Sequence, residues 1–349
     1  MINISIIGAA SYAGGELIRL LLNHGGVRIC HLTGNTYAGQ GIDQVFPYLQ
    51  GFTTMVVEAL TAENRAQIIA DSDLLFLIMP HGDASGIAGQ ILAQGKKAID
   101  LGADFRFDRQ EVYESWYKVK HQAPQLLEQA VYGLPELYRQ TIAGASLVGN
   151  PGCYPTASLL GLYPLLKAGL VKQNTIIIDA KSGVSGAGRT PSSTNVYGAA
   201  AQNIKAYGVA THRHTPEIER IAGDLSGLPQ VISFTPHLTP MIRGIHSTIY
   251  GELTEHLTGE ELTRIYRQVY EGEYFIHVHE HGQWPESKWA CGSNTCHMAV
   301  TADSRTNRVI VCAVIDNLFK GAAGQAVQNM NIMFGLPEQQ GLQLMPMYP

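Results

Sequence analysis

Ile4-Ser5-Ile6-Ile7-Gly8-Ala9-Ala10-Ser11-Tyr12-Ala13-Gly14 opens the chain on a buried strand and a glycine-bounded turn. Residues 16–23 then carry Leu17, Ile18, Leu20, Leu21 and Leu22, a helical pattern stopped by Gly25-Gly26. Strand, Gly turn and helix in that order form the start of a dinucleotide-binding unit, because the first N–H groups of the helix have no acceptor within it and can hold a phosphate. The turn reads Gly8-x-x-Ser11-x-x-Gly14, so the three-glycine form is not met. The segments downstream support it. Residues 27–33 read as a second strand, 73–79 as an almost unbroken apolar strand, 85–93 as a helix with Gly95 behind it, and 97–101 as another strand. Such alternation predicts a parallel sheet with Rossmann-type topology.

Gly149-Asn150-Pro151-Gly152-Cys153-Tyr154-Pro155-Thr156 is the second informative stretch. The glycines permit a tight turn, Pro155 suits a first helical position, and the apolar run behind it continues as a helix to Gly169. Cys153 thus meets free N–H groups and the positive end of a helix dipole. Both favour the thiolate, which is the nucleophile. A structural cysteine in a turn is the plainer alternative, and the flanking residues weigh against it.

The 349 residues fit two domains better than one. A net charge of −5 without a basic block argues against nucleic acid as a partner. No apolar run is long enough to cross a membrane, and a strand beginning at residue 2 leaves no room for a signal peptide. Five cysteines, an odd number, suit a reduced cytoplasmic protein. The second strand ends in Cys30-His31-Leu32-Thr33-Gly34-Asn35, with no carboxylate to pair a ribose diol. That admits a 2′-phosphate, with Thr33 and Asn35 as its neutral donors, and so NADP(H) as cofactor.

After Cys153 the pattern changes to strands at 175–179, 230–234, 246–253, 275–279, 297–301 and 308–315, with helices only at 216–225 and 260–270. The expected fold class is therefore α/β: a Rossmann-type parallel-sheet domain over 1–152, then an α+β domain with a mostly antiparallel sheet over 153–315. An Ala-rich helix over 316–334, within a C-terminal segment 316–349, is expected to pack on the first domain. Ser182-Gly183-Val184-Ser185-Gly186-Ala187-Gly188-Arg189 begins a long stretch of little periodicity, and long loops in compact domains are usually functional. Its backbone N–H groups suit a phosphate or a nicotinamide. Thr211-His212-Arg213-His214-Thr215-Pro216-Glu217-Ile218 opens a helix, with Thr215 as its expected cap, and offers two imidazoles beside a guanidinium and a carboxylate. A cysteine nucleophile needs a histidine nearby in the fold, and spacing does not say which one serves. Arg243 is suited to grip a phosphate or carboxylate. Cys291-x4-Cys296-His297 and the alternating His277, His279 and His281 look metal-like, but each lacks a fourth ligand, so no metal is expected.

Taken together, these motifs resemble the N-acetyl-γ-glutamyl-phosphate reductase family, relatives of the aspartate-semialdehyde dehydrogenases. The likeness runs from the Gly8 turn through Pro80-His81-Gly82, Asp100-Leu101-Gly102-Ala103-Asp104-Phe105-Arg106, Tyr132-Gly133-Leu134-Pro135-Glu136 and the Cys153 segment. It continues through the 182–189 loop, the histidine cluster and Asp316-Asn317-Leu318-Phe319-Lys320-Gly321-Ala322. Ser11 departs from the family's middle glycine, and Gly102 stands where Ser is frequent. The resemblance implies an NADPH-dependent reduction of N-acetylglutamyl phosphate to the semialdehyde in arginine biosynthesis, through a Cys153 thioester. It implies His212 or His214 as acid/base and Arg106, Arg189, Arg243 and Glu217 at the substrate. Gly8, Ser11, Tyr12, Gly14, Thr33, Asn35, Pro80, His81, Ser182, Gly183, Ser185, Gly186 and Asn317 would hold the cofactor. A homo-oligomer, dimer or tetramer, acting on a small molecule is implied as well. Reduction of aminoadipyl or aspartyl phosphate, a non-redox Cys–His acyl transferase or hydrolase, and a Rossmann redox sensor are the alternatives.

Overall fold

In the computed structural model, which describes residues 1–348, the chain forms two compact units. Met1–Pro151 and Ala322–Gln343 make the first; Gly152–Gly321 and the residues from Leu344 on make the second. The tail thus divides, where the sequence suggested that all of 316–349 would join the first unit. Met347 donates its N–H to Cys291 O (2.8 Å) within the second unit.

The first unit contains β1 (Ile2–Ile7), β2 (Val27–Thr33), β3 (Val57–Glu58), β4 (Leu74–Leu77), β5 (Lys97–Asp100), β6 (Val131–Tyr132) and β7 (Leu147–Gly149). They form one sheet in the order β3-β2-β1-β4-β5-β7-β6, with every pair parallel. All four β4 side chains are fully buried, as a central parallel strand covered on both faces requires. The order reverses between β1 and β4, the point at which doubly wound sheets open a crevice. There Gly8 has φ +90°, and a Cβ on it would stand 2.0 Å from Ile78 O. Only glycine fits.

The first helix runs Tyr12–Leu22, four residues earlier than the hydrophobic pattern places its start. Ser11 explains the difference. Its Oγ accepts the Gly14 N–H at 3.0 Å and donates to Gly8 O at 3.1 Å, so it is the N-cap. The C-terminal helix is Gly324–Met333, and a π-helical turn, Phe319–Ala323, precedes it. The expected start near 316 is lost because the Asp316 carboxylate takes the N–H groups of Leu318 (2.8 Å) and Phe319 (3.2 Å) and turns the chain first.

The second unit holds β8 (Ile177–Ser182), β9 (Lys205–Ala206), β10 (Ser233–Leu238), β11 (Ile245–Glu252), β12 (Ile276–Val278), β13 (Cys296–Asp303) and β14 (Arg308–Ile315). Their order is β12-β13-β14-β11-β8-β10-β9, antiparallel apart from the β8–β10 and β12–β13 pairs. The helix Cys153–Lys167 packs on β11 and β14. Gly161 permits the approach, since a Cβ there would meet Ile249 Cδ1 at 2.6 Å. Pro164 lies inside this helix and has no N–H for the Leu160 carbonyl four residues back. The Tyr270 hydroxyl donates to that carbonyl, and the Tyr266 hydroxyl donates to Gly161 O (2.5 Å). Both tyrosines lie on or beside the helix Gly259–Val269, whose Thr258–Glu261 capping box is formed as the sequence suggested.

Candidate active site

In the first unit the Gly8 turn is fastened by the Thr33 carbonyl, which accepts the N–H groups of Gly8 (3.0 Å) and Ala9 (2.9 Å). A Cβ on Gly14 would lie 2.3 Å from Ala9 O. The first-turn N–H groups of Tyr12 and Ala13 have no intrahelical acceptor. These features fit the diphosphate of a dinucleotide. Thr33 contributes differently from expected: its side chain is 1% exposed, and the enclosed Oγ1 has no hydrogen-bond partner among the described residues. Asn35 is exposed just beyond it, leaving that side chain, and not Thr33, free to face a ribose phosphate.

Pro80 and His81 follow β4, with the His81 ring edge-on to Tyr117 at 4.7 Å. The next residues are pinned by Asp104, fully buried, whose carboxylate accepts the N–H groups of Gly82 and Ser85 (2.9 Å each) and the Tyr113 hydroxyl (2.7 Å). Asp100 beside it accepts the N–H groups of Gly102, Asp104 and Phe105. Burial and the Asp104 charge push the Asp100 carboxyl up, against the pull of Arg106. Sequence reasoning missed this carboxylate pair as a unit, since carboxylates four apart in a loop carry no signature. Arg106, expected at the substrate, is 6% exposed and donates to Asn150 O (2.8 Å) and Leu101 O (3.1 Å), bracing these loops.

In the second unit Cys153 is partly exposed and is the first helical residue after the N-cap Gly152. Pro155 is therefore third in the helix, not first. It still costs no hydrogen bond, since all first-turn N–H groups lack helical acceptors. The Gly152 N–H goes to Glu217 Oε1 at 2.8 Å. Glu217, expected at the substrate, is fully buried, and this bond fixes the start of the Cys153 helix. Gly321 packs on the cysteine; a Cβ there would lie 2.8 Å from Cys153 Cβ.

The helix Thr215–Ser226 is capped by His214, one residue earlier than the cap position the sequence suggested, so that Thr215 is already inside. His212 Nδ1 accepts the His214 N–H at 3.1 Å. Its ring meets Tyr154 (5.7 Å), Tyr207 (5.3 Å), Phe234 (5.4 Å) and His214 (4.9 Å), all near edge-on. Burial, with help from the Arg213 charge, pushes the His212 imidazole down to about 4. His214 also touches the Tyr154 ring. Sequence reasoning missed Tyr154 and Tyr207. Tyr154 follows Cys153 directly and could have been found there; Tyr207 lies in an aperiodic loop.

Ser182 ends β8 and Gly183 follows it. The Gly183 N–H bonds Gly244 O (2.9 Å) and the Ser185 N–H bonds Ile242 O (3.1 Å), while Gly186 is exposed. Arg189, partly exposed, closes this loop. Asn317 braces it: Oδ1 accepts the Gly244 N–H (2.7 Å) and Nδ2 donates to Ser185 Oγ (2.9 Å). The amide expected at a nicotinamide is thus already engaged at both ends. Arg243 is half-buried, and its Nη1 lies 3.5 Å from Asp316 Oδ2. Asp316 is fully buried and also accepts the Gly292 N–H (2.8 Å). The alternating His277, His279 and His281 do not converge on one point. His277 and His279 each stack on His297 at 4.7 and 5.3 Å, whereas His281 bonds Thr301 and Glu260.

Residues 3–145 match the model described as semialdehyde dehydrogenase, NAD binding domain, and 153–317 the semialdehyde dehydrogenase, dimerisation domain. Aspartate semialdehyde dehydrogenase II from Vibrio cholerae, solved with ASA, shares the fold at TM-score 0.72 and 17% identity, covering 96% of this chain and 98% of that one. The enzyme from Candida albicans, solved with NADP, aligns at TM-score 0.66 and 15% identity over 96% and 98%. The fold and the two matched models make the chain a semialdehyde dehydrogenase by class. Much nearer are the N-acetyl-gamma-glutamyl-phosphate reductases of Desulforamulus reducens, 53% identical over 100% of both chains, and Heliobacterium modesticaldum, 49% identical over 100% of both. The chain belongs to the N-acetyl-gamma-glutamyl-phosphate reductase family.

Proposed function

We propose that this chain reduces N-acetyl-L-glutamyl 5-phosphate to N-acetyl-L-glutamate 5-semialdehyde and phosphate, with NADPH as reductant, in arginine biosynthesis in the cytoplasm. The observation that carries it is Cys153 at the first position of a helix whose preceding amide is held by a buried carboxylate. The Cys153 sulfur attacks the acyl carbon, the bond from that carbon to the phosphate oxygen breaks, and a thioester remains. When bound, the nicotinamide supplies a hydride to the thioester carbon. The carbon–sulfur bond then breaks, releasing aldehyde and thiol. His212 and His214 serve the proton and hydrogen-bonding needs of these steps. N–H groups at the helix start stabilise the oxyanion. Arg243, oriented by Asp316, binds the substrate's phosphate or carboxylate, and Arg189 is a second guanidinium offered for the same groups.

NADP(H) over NAD(H) is supported by the absence of a carboxylate at the end of β2 and by the NADP named with the Candida albicans structure. A homo-oligomer, dimer or tetramer, is supported by the match to a dimerisation domain. No helix among the described residues is long and apolar enough to cross a membrane.

Phosphate-dependent NADP reduction with N-acetylglutamate semialdehyde, and aspartate semialdehyde as control, tests the activity in reverse. Faster turnover of the control would replace this substrate with the aspartyl compound. Turnover that survives Cys153→Ala would remove the thioester.

A further inference from the structure

His212 sits in a cage built from three elements: Tyr154 from the helix Cys153–Lys167, Phe234 from β10, and Tyr207 directly after β9. Tyr207 donates its hydroxyl to Tyr154 OH (3.1 Å), which donates in turn to His237 O (3.3 Å). The backbone of Tyr207 is fastened as well, its N–H on Pro236 O at 3.1 Å. Next to it Gly208, at φ +57°, lies so near that a Cβ would meet the His212 ring at 3.2 Å. On the ring itself Nδ1 accepts the His214 N–H. A backbone N–H can only donate, so Nδ1 carries no proton, and the neutral ring holds its proton on Nε2.

We propose that Tyr207, with Tyr154, is a positioning residue that fixes His212 as a neutral imidazole with its proton on Nε2, a hydrogen-bond donor to the reacting oxygen. This rests on the Cys153 mechanism above. A neutral ring donating from Nε2 stabilises developing negative charge without itself giving up a proton. Protonation at Nδ1 would set two N–H groups against each other. The charged and titratable groups around the ring are Arg213 and His214 on its own segment and the two tyrosines, with Cys153 beside both of them. Burial also holds both phenols protonated, that of Tyr207 up to about 12. Apart from the Cys153 sulfur, which lies beside the two tyrosines, none of these groups supplies a negative charge that would draw a proton onto the ring at neutral pH.

The test is NMR of the histidine-labelled protein together with pH–rate profiles. Wild-type His212 should show the Nε2–H tautomer and titrate well below the ordinary imidazole range. Tyr207→Ala should admit water, raise that titration by more than one pH unit, and move the acid-side loss of kcat with it. Tyr207→Phe keeps the ring and should stay near wild type. A proton on Nδ1 in the wild type, or an unmoved titration in Tyr207→Ala, would overturn the proposal. If Tyr207→Ala does not fold, the wild-type tautomer still decides. These signals are independent of the substrate used, so failure of the substrate assay is separable from failure here.

Discussion

The buried carboxylate of Glu217 holds the backbone N–H of Gly152 at 2.8 Å, one residue before Cys153. The two residues are 65 apart in sequence, and the bond ties the start of the Cys153 helix to the start of the Thr215 helix. Glu217→Ala would leave a buried N–H without an acceptor, at a cost of about 1–3 kcal/mol. Glu217→Gln keeps an oxygen there. The expected result is a lower Tm and slower acylation of Cys153 in the alanine variant, and a smaller loss in the glutamine variant. Equal losses would point to the charge of Glu217, not the bond, as its contribution.

Gly321 sets the clearance on the other side of the cysteine. With a Cβ 2.8 Å from Cys153 Cβ and 3.3 Å from Asp316 O, Gly321→Ala must displace the sulfur or the π-turn. A displacement of about 1 Å at a reacting atom can cost on the order of 100-fold in rate. Turnover should fall by at least about 10-fold on that scale, with NADPH affinity retained. Alkylation of Cys153 by iodoacetamide, followed by mass, reports the sulfur directly; an unchanged rate would show that the turn gives way instead.

What the sequence made legible follows the range of the interactions involved. β1, β2 and β14 match their expected bounds because each is a hydrophobic run closed by local breakers. Cys153 was legible because glycine and proline punctuate its turn. Glu217, Arg106 and Asn317, named at the substrate or cofactor, are buried and bonded to neighbouring loops, which no spacing announces because burial is a property of distant packing. Tyr207, Gly321 and the Asp100–Asp104 pair act through neighbours far away in the chain or through backbone shape. No periodicity marks them.

Pro164 gives a stability prediction away from the chemistry. It orphans the Leu160 carbonyl, and the Tyr270 hydroxyl takes its place. Tyr270→Phe conserves the ring and removes only the donor. It should cost about 1–3 kcal/mol, the penalty of a buried unsatisfied acceptor. Urea unfolding with an unchanged m-value would measure it. Adding Pro164→Ala restores the helical N–H, so the double variant should recover part of the loss; no recovery would mean that the hydroxyl and the proline act separately.

Cofactor choice is the property most open to redesign. β2 ends in Thr33, whose enclosed hydroxyl faces away from solvent, and the first exposed side chain beyond it that can meet a ribose is Asn35. A neutral amide accepts a 2′-phosphate but does not clamp it as a guanidinium would, so the wild type should prefer NADP clearly without excluding NAD. Asn35→Asp places a carboxylate where a 2′-phosphate would sit. Charge repulsion should lower kcat/KM for NADP, while a new acceptor for the ribose diol should leave NAD use unchanged or improved. Thr33→Asp tests the geometry from the other side. A carboxylate buried there has no partner, so the variant should lose stability before it changes preference. The measurements are kcat/KM with both cofactors and Tm for the three proteins. If Asn35→Asp leaves the ratio unmoved, or if Thr33→Asp shifts it in a folded protein, the 2′-phosphate lies at Thr33 after all.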